Sequence, residues 1–268
     1  MKSSSSNNYK GITFIIPVKK VSTRPAMFGD CITSIIEKAY DPYKIQVLIG
    51  LDEHDSESLD YIKESIPEYY MSGLDIAVFF RPPSDNFTQN FYEHGCSLAN
   101  RGLIWCIGED VDILTKDYDK IINDAVKGHH NPYVVVGGRY INGLPDGRNA
   151  YCNFPLINKE FKHQGSYLPT TIHSWGVDAY LHHVFSWFDT DPYKENNYMC
   201  TIDLKDKVEI RHRSHHFGDF EEDALYAAQK KRNSIDNGVF IPKEVSKTRE
   251  YFYNQYLRMV SAPPSFEL

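Results

Sequence analysis

The sequence predicts an α/β protein with a mostly parallel central sheet flanked by helices. Three observations carry this prediction. Four apolar, β-rich runs of strand length fall between residues 12 and 108. The segments between them place apolar residues at helical spacing. Charged residues gather immediately after the runs, where a parallel sheet binds its ligands.

"ITFIIPV", residues 12–18, reads as a buried strand. Residues 26–39 read as a helix, with Phe28, Ile32, Ile35, Ile36 and Ala39 on one face and Pro25 in the first turn. "KIQVLIGL", 44–51, is the second strand, and "SESLDYIKESI", 56–66, a short helix with Leu59, Ile62 and Ile66 on one side. "LDIAVFF", 74–80, is the third strand. A helix over about 87–100 aligns Phe87, Phe91 and Leu98. "LIWCIG", 103–108, is the fourth strand. Alternation of buried strands with crossover helices requires parallel pairing.

The second half is less regular. A helix is expected over 118–127, and a strand in "YVVVGGRYI". Residues 142–175 read as a Gly/Pro/Asn-rich insertion, and 176–188 as a helix. Residues 206–218 read as a strand running into a His-rich loop, followed by helices over 220–234 and 244–260. No repeat or linker interrupts residues 10–268, which are taken as one domain behind a flexible tail, 1–9.

Composition narrows the function. The net charge of -7 argues against a general nucleic-acid surface, so any phosphate must be met by a few basic residues or a metal. Aromatics reach 14%, with 19 Tyr, which suits sugar clefts and equally a Tyr-rich core. Five widely spaced cysteines without a CxxC read as reduced core thiols. The polar start "MKSSSSNNYK" carries no signal region, and no run approaches the length of a membrane span. The expectation is a cytoplasmic protein with no transmembrane segment.

The polar residues after the strands form the candidate site: Lys19 and Arg24 after the first, Asp52 and Asp55 after the second, Arg81 after the third, and Glu109, Asp110 and Asp112 after the fourth. Carboxylates crowded beside apolar runs repel one another and lose hydration. A hard divalent cation, Mg2+ or Mn2+, relieves both effects and suits substrate phosphates. A turn with Asp112 capping a neighbour and the other acids solvated is the simpler account of the same residues.

"ITFIIPVKKVSTRP", "VLIGLDEHD" and "LIWCIGEDVDI" together resemble the nucleotide-binding half of a GT-A (Rossmann-like) glycosyltransferase, similar to family 2. The resemblance covers residues 11–127 and continues more weakly to about 220. It implies a nucleotide-sugar donor bound by residues 10–127, an acceptor bound by 128–219, and a C-terminal helical part, 220–268. It places Pro17, Lys19 and Arg24 near the nucleotide, Asp52 and Asp55 near its base or ribose, and Arg81 on the same donor side. In the family the last acid of a DxD or DDD motif binds the metal that bridges the diphosphate. Glu109–Asp110 resembles the last two members of a DDD triplet, so Asp110 is the first choice and Asp110–Val111–Asp112 the alternative frame. Gly108 stands where the first Asp is often found.

Further site residues follow from the same resemblance. Inverting members carry an acid at the start of a helix beside the acceptor, and Asp178 in "HSWGVDAYL" fits that general base. An Asp in a first turn also simply favours the helix dipole. The preceding insertion, with Asn153 and Trp175, supplies acceptor candidates; a core position accounts for Trp175 as well. GT-A enzymes often add a C-terminal His to the metal, and "RHRSHHFG" offers His212 and His215, with Arg211 and Arg213 available to a diphosphate. The acceptor is a glycan, a lipid-linked sugar or a protein. Two alternatives stay open: a nucleotidyltransferase, against which "PVKKVSTRP" lacks glycine, and a non-catalytic nucleotide- or sugar-binding module.

Overall fold

Every residue of the first strand, β1 (Ile12–Pro17), is buried, as an unbroken apolar run demands when both faces of a sheet are covered. The computed structural model describes residues 11–19, 21, 24–82, 84, 86, 88–140, 154–162, 166–169, 171–172, 177–189, 198–213, 231 and 240–261. In it β1 lies between β2 (Ile45–Asp52) and β4 (Leu103–Cys106), parallel to both. β3 (Asp75–Arg81) extends the sheet beyond β2, again parallel, with Asp52 paired to Arg81. The carboxyl ends of β1 to β4 therefore share one edge.

Helices α1 (Pro25–Lys38) and α2 (Ser56–Met71) make the first two crossovers. α2 runs past the expected end at 66, through Pro67, to bury Tyr69. The third crossover departs from expectation. It begins as a π-helical turn, Thr88–Glu93, and only the short α3 (His94–Leu98) is α-helical. The wide turn buries the polar Thr88 and Asn90 together with Phe91, which no regular amphipathic face would do.

Beyond β4 only residues 107–110 precede β5 (Val111–Ile113), yet β5 lies at the far edge of the sheet. The strand order is β3-β2-β1-β4-β7-β6-β8-β5, where β6 is Asn131–Tyr140, β7 Leu156–Asn158 and β8 Met199–His212. A sheet whose far edge returns beside β4 must curl. β7 is antiparallel to β4 and β6, β6 runs parallel to β8, and β5 is antiparallel to β8. The sheet is mostly parallel, with antiparallel joints where its two halves meet and at β5. A bulge between Val136 and Gly137 shifts the β6–β8 register, and a Cβ on Gly137 would fall 2.5 Å from the Lys205 carbonyl oxygen. β5 lies in the acidic stretch after the fourth strand and β7 in the segment read from the sequence as an insertion; three residues are too few to show a period. β8 starts at Met199 rather than 206 and ends at His212.

α4 (Tyr118–Val126), α5 (Val177–Phe188) and α6 (Ile241–Ser261) complete the described elements. Phe14 stacks on Trp105 at 5.2 Å, with Tyr118 edge-on, which fixes α4 against the sheet centre. Phe161 stacks on Phe252 at 5.0 Å and also meets Phe185, which seats α6. Tyr118, Tyr133 and Tyr180 are fully buried, so part of the tyrosine content serves the core. Cys31, Cys96, Cys106 and Cys200 are free and buried. No described helix is long and apolar enough to cross a membrane. The tail, the segment 220–230 and Cys152 lie outside the described residues.

Candidate active site

At the carboxyl edge, the backbone behind β1 turns toward the acids behind β4. The Lys19 amide donates to Glu109 Oε2 at 3.1 Å, and Arg24 Nη2 meets Glu109 Oε1 at 3.0 Å. Arg24 also donates to the Lys19 carbonyl at 3.2 Å, closing a ring between the two ends. Burial pushes the Glu109 carboxyl up to about 7, against the pull of Arg24 and the Lys19 amide. Pro17 is buried at the end of β1 opposite Gly50.

Asp52 closes β2, and burial raises its pKa while Lys19 opposes the rise. Asp55 has a structural duty: its Oδ1 accepts from the Ser58 amide at 3.1 Å and caps α2. Arg81 donates to Asn90 Oδ1 at 3.2 Å, and Asn90 donates to the Pro82 carbonyl at 2.7 Å. The π-helical turn thus holds the arginine that ends β3.

Asp110 and Asp112 occupy different surroundings. Asp110 Oδ2 lies 3.2 Å from His212 Nε2, each side chain about one-fifth exposed. The Asp110 carbonyl accepts from the Arg213 amide at 2.9 Å, and the Phe154 ring stands edge-on to His212 at 4.9 Å. A carboxylate and an imidazole this close are both ligand types for Mn2+, and the carboxylate for Mg2+, though their contact here is a direct hydrogen bond. Asp112 is buried, and both its oxygens accept from guanidinium groups: Arg211 Nε at 2.7 Å, Arg213 Nη2 at 2.9 and 3.1 Å, and Arg213 Nε at 3.1 Å. Arg213 reaches on to Asp30 at 2.7 Å. Asp112 thus anchors the strand pair β5–β8, whereas Asp110 faces His212. Arg211 and Arg213, read from the sequence as available to a diphosphate, are engaged by Asp112. Among the described residues no three His, Cys, Asp or Glu side chains converge on one point. His215, Asn153 and Trp175 lie outside the described residues.

Gly108 matters through what it lacks. A Cβ there would lie 2.2 Å from Asp110 Oδ1, so the Asp110 carboxylate uses the space a side chain would fill.

Asp178 sits in the first turn of α5, 7% exposed, with its Oδ1 accepting from the Ala179 amide at 2.8 Å. Tyr92, missed in the sequence, lies in the field of both this acid and Asp110. Burial first, then the Cys106 thiol and the Asp110 and Asp178 carboxylates, push the Tyr92 phenol well up. Both acids therefore act on one phenol. Glu93, its neighbour, was also missed. It accepts from the Tyr167 and Leu168 amides at 3.0 and 2.9 Å and ties the loop before α5 to the π-helical turn. Polar Gln89, Asn90 and Glu93 interrupting an apolar helical period were the available signal.

A curled, mostly parallel sheet with acids behind β4 is the GT-A glycosyltransferase fold. Comparison with solved structures finds it in TarS of S. aureus, where the crystal structure of residues 1–349 superposes with a TM-score of 0.57 at 14% identity, over 86% of this chain and 74% of that one. Against the longer TarS structure the chain spans 37% of the length, at a TM-score of 0.56, 14% identity and 76% of this chain. The mannosyltransferase PcManGT from Pyrobaculum calidifontis, in complex with GDP-Man and Mn2+, is matched over 96% of this chain and 77% of that one, at 10% identity and a TM-score of 0.51. GalNAc-T7 with UDP, GalNAc and Mn2+ is matched over 76% and 43%, at 10% identity and a TM-score of 0.52. No family model and no curated protein matches the sequence.

Proposed function

We propose that this chain is a glycosyltransferase that moves a sugar from a nucleotide-sugar to an acceptor hydroxyl, with a divalent cation and inversion at the anomeric carbon. The observation that supports it most is the Asp110–His212 pair, facing each other at 3.2 Å on the carboxyl edge of a GT-A sheet. Solved GT-A neighbours carry UDP, GDP-Man and Mn2+, and TarS 1–349 is also known in complex with UDP-GlcNAc.

Asp110 and His212 would hold Mn2+ or Mg2+, which supplies neutralisation of the leaving diphosphate. Pro17, the Lys19 segment, Arg24, Asp52 and Arg81 line the donor side, with Glu109 and Asp55 ordering the backbone around them. Asp178 takes the proton of the acceptor hydroxyl as that oxygen bonds to the anomeric carbon and the bond to the diphosphate oxygen breaks. Its place in a first helical turn favours the ionised, proton-accepting form. Asn153, Trp175 and His215 remain candidates for the acceptor and metal on the sequence reading.

A thermal-shift screen of UDP- and GDP-sugars with and without Mn2+ tests this reading. One donor should raise Tm more in Mn2+ than in chelator. No shift with any donor under either condition overturns it.

A further inference from the structure

A groove of about 820 Å³ lies between α5 and α6, outside the donor cleft. The two helices run in the same direction, because their contacts advance together: Tyr180 with Thr248, His183 with Arg249, Trp187 with Tyr253. Along α5 the groove is lined by Ala179, His183 and Trp187, one stripe at i, i+4 and i+8. On α5 it therefore starts at Ala179, one residue after Asp178, and extends roughly 12 Å along the helix to Trp187.

The lining has a definite chemistry. Trp187 and Tyr253 are half-buried and meet edge-to-face at 6.3 Å, and Arg249 lies 5.8 Å from the Trp187 ring centre. Arg249 Nη2 donates to the His183 carbonyl, while its buried Nε has no acceptor among the described residues. Glu250 and His183 are exposed at the rim. One cation, one anion and two aromatic rings suit a ligand with apolar ring faces, many hydroxyls and no net charge. A phosphate or carboxylate ligand would meet Glu250; a purely apolar one would offer the buried Arg249 Nε no acceptor. The volume falls within the range of small-molecule sites.

We propose that this groove binds a neutral oligosaccharide, holding the distal rings of the acceptor while its reacting end reaches Asp178. The proposal rests on Asp178 standing at the acceptor side. Trp187 and Tyr253 take the sugar faces, and Arg249 and Glu250 take hydroxyls.

The test is titration of the full chain with cello-, chito-, malto- and mannopentaose, followed by isothermal calorimetry and saturation-transfer NMR. At least one should bind at millimolar concentration or better. Trp187→Ala should weaken it about tenfold, the scale of a lost aromatic contact. Glu250→Lys, at an exposed position, should weaken it too with the fold intact, and it decides the question if Trp187→Ala unfolds. Binding of Mn2+ and the nucleotide-sugar should be unchanged in both variants. Absence of binding by all four sugars, or binding that ignores Glu250→Lys and Trp187→Ala, overturns the proposal. Sugar binding without any donor binding leaves the groove standing and removes the transferase reading instead.

Discussion

Gly108→Ala isolates the role of Asp110 without touching a charged group. The new Cβ would sit 2.2 Å from Asp110 Oδ1 and 3.4 Å from its Cγ. Ordinary contact requires the carboxylate oxygen to retreat by about 1 Å or more. The 3.2 Å approach to His212 then opens. In stability the change is small. A partly exposed hydrogen bond is worth about 1 kcal/mol, and the reduced freedom of the unfolded chain returns about 0.4–1 kcal/mol. Metal affinity should fall far more, about 10–100-fold, as when a ligand loses its orientation. The assay is calorimetric titration of Mn2+ in the presence of the nucleotide-sugar, beside a urea melt. In an Asp110→Asn background the alanine should add nothing further, because both changes act through one carboxylate. Wild-type Mn2+ affinity in Gly108→Ala, or full additivity with Asp110→Asn, would refute the reasoning.

Other consequences follow from individual contacts. Asp178→Asn should bind the donor normally and lose ~10²–10⁴-fold in turnover; NMR of the wild-type product should show the inverted anomer, and near wild-type turnover in the variant contradicts the base. Glu109 has a folded-state pKa raised from 4.5 to about 7, so the folded protein binds the extra proton and stability declines as pH climbs through that window. The decline is at most about 3 kcal/mol, and Glu109→Gln should flatten it in urea melts between pH 4.5 and 7. Asp112→Ala leaves Arg213 without its buried partner and should cost about 3 kcal/mol in a denaturant melt; a loss below about 1 kcal/mol would show that Arg213 finds solvent or Asp30 instead.

The first half of the chain was legible because its signals are local. Buried parallel strands are continuous apolar runs, and β1 to β4 each stand within a residue or two of their expected ends. The acids behind them follow from the rule that such sheets bind at their carboxyl edge. What escaped reading depends on partners far away in sequence. Asp110 and Asp112 differ by which residues at the end of β8 face them, His212 or Arg211 and the following Arg213, about a hundred positions downstream. Asp55 and Glu109 carry the same charge as the other acids, and only tertiary contacts show one capping α2 and the other bound by Arg24 and the Lys19 amide. The π-helical turn left only an interruption of the apolar period, at Gln89, Asn90 and Glu93, and an interruption does not say what Tyr92 and Glu93 meet.

Nucleotide release from a UDP- or GDP-sugar, followed in Mn2+ and in chelator for the wild type and Asp110→Asn, tests the central claim most directly. The account predicts Mn2+-dependent release by the wild type and little by Asp110→Asn, with both proteins folded. Binding of the nucleotide-sugar with no release under any condition would make this GT-A fold a binding module, and release unaffected by Asp110→Asn would place the chemistry elsewhere.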